Sequence, residues 1–303
     1  MYLDDISLVV SSCDIYEDAW YPYFELIKKY WVNHPKEIYL ITERKNFVSE
    51  NIRINVKNYD CVFGKRLYKT LSEIKTKYII FSLEDFFLQS PVNENVIKKC
   101  YEWMEENPNI AVCRFYPSNL DQLIPTQKYE KFYLAGNDIK YRLDTQMAIW
   151  NRETLMSFID INEDPWQFES NGTKRIKNTE KLFLWYYAED NDLLLSSSLD
   201  SNKAFDYSVK DTYGYGIRQG RWLWNNEKLF KLNEIYNVNL KRLGVISERT
   251  FFFRKKHLFN KEQNIIEKFI KPVWKRFIKL KKLKSCLQIL GVKEGIKYFN
   301  SNR

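Results

Sequence analysis

An unbroken apolar run over residues 78–83 ends in two adjacent carboxylates, Glu84 and Asp85. Apolar runs at 6–12 and 37–42 are separated by a segment, 18–30, in which Trp20, Tyr23, Phe24, Ile27 and Trp31 recur at helical spacing. His34-Pro35 breaks that helix, a third short strand is expected around 52–56, and 67–74 reads as a helix. Strand, helix, strand, strand, helix, strand with short connections builds a largely parallel sheet covered by helices. In such sheets ligands bind beyond the carboxyl ends of the strands, so Ser11, Asp14, Glu43, Glu84 and Asp85 are expected on one rim.

Farther on, a helix is expected over 94–106, closed by Asn107-Pro108, and a strand over 110–115. Past Pro117 the pattern loosens into a polar loop region to about Gly136, before a strand at 143–150 and a helix at 152–158. Residues 163–172 read as a turn-rich aromatic loop carrying Glu169. The stretch 211–222 concentrates glycines, aromatics, Arg218 and Arg221, as mobile binding loops do. The expected fold class is α/β, with residues 1–250 as one domain (halves 1–110 and 111–250) and 251–303 as a helical appendage.

The net charge of +9 over 303 residues is unevenly held. Residues 254–303 carry 15 Lys/Arg against three Glu, leaving 33 basic against 36 acidic side chains in residues 1–253. A slightly acidic body disfavours nucleic-acid binding. In the tail, Ile266, Phe269, Ile270, Val273, Trp274, Phe277 and Leu280 recur at helical spacing, with Lys271, Lys275, Lys279 and Lys282 opposite. Such basic amphipathic helices, here over 262–290, suit an anionic membrane surface, and equally suit docking on a protein core with the lysines wet.

Five scattered cysteines without a Cys-x-x-Cys pair favour a reducing cytoplasm over a disulfide framework or zinc site. No secretory leader is expected from the acidic N-terminus, and no run of eighteen apolar residues could span a bilayer. Only His34 and His257 are present, which supports neither a histidine zinc site nor a Ser-His-Asp triad. Gly-x-Gly-x-x-Gly after the first strand and the P-loop motif are both absent.

Five segments taken in order, namely 6–31, 77–88 ending Glu-Asp-Phe-Phe-Leu, 146–150, 165–169 and 220–222, resemble a family of bacterial GT-A-type glycosyltransferases of surface-polysaccharide assembly, capsule and lipopolysaccharide among them. The likeness covers residues ~6–245 as a series of individually weak motifs. It implies a GT-A-like, Rossmann-type sandwich with a mostly parallel central sheet, a nucleotide-sugar donor, a UDP-linked one by preference, and a saccharide or lipid-linked saccharide acceptor. The tail lies outside the likeness; the cysteine usage leads us to expect a cytoplasmic protein, peripheral on the inner face of the plasma membrane if the tail binds lipid and not if it docks on the core.

The resemblance also distributes roles. GT-A enzymes place Asp-x-Asp where this chain has Glu84-Asp85-Phe86, so Asp85 with substrate oxygens is the expected ligand of a Mg²⁺ or Mn²⁺ ion. A metal-free alternative neutralises the departing diphosphate with arginine, for which Arg66, Arg218 and Arg221 are available. Glu169, beside Trp166 and Phe168, is the expected catalytic base, with Asp144 in reserve. Ser11, Asp14 and Glu43 are expected around the nucleotide, although Ser11 and Asp14 equally suit helix caps. Trp166, Lys174 and Arg175 are expected to meet the acceptor, although the two cations equally suit plain solvation. The competing reading is an inactive scaffold that keeps the fold and acts through its basic tail.

Overall fold

The structure, a computed structural model, describes residues 2–118, 121–188, 204–205, 217–218, 221–224 and 245–247. Its strands are β1 (Ile6–Ser11), β2 (Glu37–Thr42), β3 (Asn55–Asn58), β4 (Tyr78–Leu83), β5 (Ile110–Ser118), β6 (Leu123–Ile124), β7 (Phe132–Ala135), β8 (Ala148–Asn151) and β9 (Leu182–Tyr187). The helices are α1 (Glu17–Tyr30), α2 (Phe63–Glu73), α3 (Glu94–Glu106), α4 (Arg152–Phe158) and α5 (Pro165–Arg175).

All nine strands form one sheet in the order β3-β2-β1-β4-β8-β5-β9-β7-β6. Seven run one way, and β7 and β8 run against them. Alternation along β1 shows why helices must cover both faces: Leu8 and Val10 join one apolar cluster, and Val9 joins the other. The first cluster takes Trp20, Tyr23, Phe24 and Ile27 of α1 with Ile97, Cys100 and Met104 of α3. The second takes Phe63, Leu67 and Leu71 of α2, Leu155 and Phe158 of α4 and Phe168 of α5. The product is the α/β Rossmann-type sandwich with a mostly parallel sheet that the sequence led us to expect.

Two features of this topology make a site. Chain order reverses between β1 and β4, because β2 and β3 lie to one side of β1 and β4 to the other. That is the switch point at which open sheets leave a crevice beyond their carboxyl ends. Antiparallel β8 then lies between β4 and β5, with Phe81 opposite Ala148 and Arg114 opposite Ala148. The residues leading into β8 therefore reach the rim where β1, β4 and β5 end.

Several elements depart from expectation. The 163–172 segment is not a loop: α5 starts at a capping box in which Asp164 accepts from the Gln167 N–H at 2.8 Å and Gln167 returns the bond to the Asp164 N–H at 3.0 Å. Pro165 at the first helical position suits that start. Of the expected 143–150 strand only Ala148–Asn151 forms, because the backbone before it is held by α5 side chains. The supposed loop region to Gly136 contains β6 and β7, and β9 was not anticipated.

The chain divides into two compact units, Met1–Val245 and Ile246–Arg303. In the first, β10 (Ile217–Arg218) and β11 (Arg221–Trp224) pair antiparallel. A last short strand, β12 (Val245–Ser247), closes the described residues. The side chains of Arg218 and Arg221 and the basic tail at 251–303 lie outside the described residues. Among those described, no helix is long and apolar enough to cross a membrane.

Candidate active site

The switch point holds a network of charge, half-buried at Asp14 and Glu43 and buried at Arg66, Glu84 and Asp85. Asp14, just past β1, accepts the backbone N–H groups of Glu43, Arg44 and Lys45 at 3.1–3.2 Å. Burial pushes this carboxyl up, but three N–H donors outweigh burial and hold it below its ordinary value. Asp14 thereby ties the exits of β1 and β2 together. Glu43 returns the contact by accepting from the Asp14 N–H, and its other oxygen pairs with Arg66 Nη1 at 2.8 Å. Arg66, buried on α2, also donates to the Cys61 carbonyl.

Glu84 and Asp85 follow β4 in a turn closed by Phe86 N–H on the Leu83 carbonyl, and both are buried. Desolvation pushes the Glu84 carboxyl well up, and the Asp85 charge beside it adds to the effect, against a hydrogen bond from Ser12. Ser12 in turn accepts from Trp20 Nε1 at 2.7 Å, so a core tryptophan sets its rotamer. Ser11, buried at the end of β1, pairs with Leu83 in the register, which brings the first and fourth strand tips side by side. The Cys13 thiol, pushed up to about 12 by burial and then by Glu84 and Glu43, joins the two networks.

A second pair of carboxylates lies on the same rim. Helix α5 lies close against the 143–145 segment because Gly172 leaves room: a Cβ there would sit 2.4 Å from Leu143 Cδ2. Two residues of α5 then grip that segment. Thr173 Oγ1 accepts from the Leu143 N–H at 3.1 Å, and Glu169 Oε1 accepts from the Thr145 N–H at 2.9 Å and its hydroxyl at 2.7 Å. One Glu169 oxygen is thus anchored by two donors. Asp144, 9% exposed, accepts from the Gln146 N–H and pairs with Arg114 of β5, Nε to Oδ2, at 2.8 Å. Burial pushes its carboxyl up to about 6; Arg114 opposes the rise and Glu169 adds to it.

The structure therefore brings Ser11, Asp14, Glu43, Arg66, Glu84 and Asp85 together at the switch point, and Asp144 with Glu169 at the entry to β8. Sequence reasoning named these and missed Ser12, Thr145 and Arg114; a lone arginine within the apolar 110–115 run was the available signal for the last. Trp166, 77% exposed, stands one turn before Glu169 on α5. Lys174 is exposed. Arg175 is committed elsewhere: its guanidinium grips both oxygens of buried Glu163 at 3.0 and 3.1 Å and the Phe158 carbonyl at 2.7 Å.

Phe86, the residue after the two acids, belongs to the core. Its ring is fully buried in the α1/α3 cluster, together with Phe87 and Leu88. Among the described residues no group of three or more His, Cys, Asp or Glu converges on a metal position. The donor set at the β4 tip fits a hard cation shared with substrate phosphate, which needs one or two carboxylates, and does not fit a closed protein cage. Phe86→Asp is accordingly expected to cost more than about 4 kcal/mol in chemical denaturation, because it buries an unpaired charge and empties a ring site. An unchanged midpoint in urea would contradict this placement.

No protein-family model matches the chain, and no curated protein matches its sequence. Solved structures share its fold in part. One is a CMP:2-keto-3-deoxy-manno-octonic acid synthetase complexed with CTP (10% identity, 60% of this chain and 89% of that chain, TM-score 0.39). Another is S. aureus TarS 1-349 (12% identity, 60% of each chain, TM-score 0.39). A third is the mannosyltransferase PcManGT from Pyrobaculum calidifontis in complex with GDP-Man and Mn²⁺ (9% identity, 61% of this chain and 55% of that chain, TM-score 0.43). The match spans less than two thirds of the TarS fragment and of PcManGT. The Rossmann-type α/β class of the sandwich rests on the chain's own strand order and switch point.

Proposed function

We propose that this chain is a glycosyltransferase that moves a sugar from a nucleotide-activated donor, UDP-linked by preference, to an acceptor hydroxyl. The observation that carries the reading is the pairing of two carboxylate sites on one rim. Glu84 and Asp85 lie at the switch point, and Asp144 and Glu169 lie at the entry to the strand next to β4. Neighbouring strands are about 5 Å apart, so a leaving group at one site and an attacking hydroxyl at the other lie within the span of a sugar and its diphosphate.

Each group then has a task. Asp85, with Glu84, would hold a Mg²⁺ or Mn²⁺ ion, which when bound neutralises charge on the departing diphosphate. Without it, two carboxylates side by side would repel an incoming diphosphate. Ser11 and the Asp14–Glu43–Arg66 network shape the nucleotide side of the crevice. On the acceptor side, the hydroxyl oxygen attacks the anomeric carbon, the bond from that carbon to the phosphate oxygen breaks, and its electrons leave with the nucleotide diphosphate. The hydroxyl proton passes to the Glu169 oxygen that Thr145 leaves free. Trp166 offers a ring face on which a sugar can stack.

For the acceptor, the sequence resemblance favours a saccharide or lipid-linked saccharide of bacterial surface-polysaccharide assembly, and the basic pattern of 262–290 favours a cytoplasmic enzyme working at an anionic membrane surface. GDP-Man and Mn²⁺ in PcManGT, and Mn²⁺ with UDP-glucose in the M. tuberculosis glucosyl-3-phosphoglycerate synthase, another partial match, indicate which donors to test first. The test is a panel of sugar nucleotides, with and without Mn²⁺, in which nucleotide diphosphate release is followed. Release from one or a few donors supports the reading, and no binding of any donor defeats it.

A further inference from the structure

Arg114 is built unlike Arg142, another buried arginine. Arg142 spends its guanidinium on three backbone carbonyls, those of Ala135, Ile176 and Lys181, as a structural staple does. Among the described residues, Nε and Nη1 of Arg114 have no such anchors. Its guanidinium carbon lies 4.0 Å from the Trp185 ring centroid and 5.3 Å from that of Tyr116, and its Nη1 has no hydrogen-bond acceptor among the described residues. Nε approaches Asp144 Oδ2 at 2.8 Å but off the line of a hydrogen bond, so the contact is one of charge. Leaving a buried donor unfilled costs about 1–3 kcal/mol. A residue kept for stability alone would not be placed in this way.

The charge it carries falls on one member of a pair. Arg114 from β5 and Glu169 from α5 are the charged groups that act on Asp144, and the Gln146 N–H is the hydrogen bond its own loop supplies. Thr145, next in the chain to Asp144, holds Glu169. We propose that Arg114 is a positioning residue: stacked on Trp185, it holds the buried Asp144 carboxylate in place and in its charged form beside Glu169. The role assigned to Glu169 rests on the transferase reading, and the action of Arg114 on Asp144 does not. Burial drives the Asp144 carboxyl toward its neutral form, and the cation beside it opposes that.

The test is a carboxyl ¹³C NMR titration of the full chain, with Asp144 assigned by the resonance lost in Asp144→Asn. In the unaltered protein the Asp144 midpoint is expected near 6. Arg114→Met, or the more polar Arg114→Gln, should raise it by about one unit or more, a tenfold change in protonation at fixed pH. Arg114→Lys should restore it. An unmoved midpoint in a folded Arg114→Met or Arg114→Gln protein overturns the proposal, and so does failure of both variants to fold, which would make Arg114 a core element. With UDP-glucose as probe, the acid limb of diphosphate release should move up with the NMR midpoint. Intact titration shifts with no diphosphate release from any sugar nucleotide of the panel would sink the transferase reading alone.

Discussion

Asp85→Asn is expected to lower diphosphate release from a sugar nucleotide by about 10²–10³-fold, the usual scale for removing one group that stabilises transition-state charge. The substitution keeps size and hydrogen-bonding shape while deleting the charge that a cation needs. Its effect on the folded protein should run the other way. Burial pushes the neighbouring Glu84 carboxyl up and the Asp85 charge adds to that push, so removing the charge relieves repulsion at the tip of β4. Activity should collapse while the thermal midpoint holds or rises, and that separation distinguishes a working carboxylate from a structural one. Parallel loss of both would assign Asp85 to the turn.

Glu169→Gln should be as damaging to turnover and far gentler to binding. The amide retains an oxygen that accepts from the Thr145 N–H and hydroxyl, so α5 stays fixed on the 143–145 segment. It cannot take up a proton. Loss of a positioned base costs about 10²–10⁴-fold, which should appear in kcat with donor affinity unchanged. Steady-state kinetics together with donor titration resolves the two. If kcat survives in Glu169→Gln, the base lies elsewhere, and Asp144 is the next residue to examine.

Legibility in the sequence followed the physics of each element. Helix α3 was readable to its ends, Glu94 and Glu106, because its apolar stripe is clean and Asn107-Pro108 stops it. The strands β1, β2 and β4 were readable because they are apolar runs that end sharply in polar residues. Helix α5 was hidden by its aromatic, glycine-bearing composition, although Asp164, Pro165 and Gln167 spelled a capping box. Asp144 was given to a strand because Leu143 to Trp150 is largely apolar. Its backbone answers to Thr173 and Glu169, contacts 24 to 30 residues distant that no local pattern contains. The same holds for Asp14 and Arg175, whose roles in tying loops together depend on partners from other elements.

The central claim is that the buried acids ending β4 seat the diphosphate of a nucleotide sugar. Thermal unfolding with a panel of sugar nucleotides and Mn²⁺ tests it most directly, since a ligand at 100 times its Kd stabilises the native state by about 2.7 kcal/mol. The account predicts a donor-selective, cation-dependent rise in Tm that Asp85→Asn removes. A flat response to every donor, or the same rise in Asp85→Asn, would contradict it.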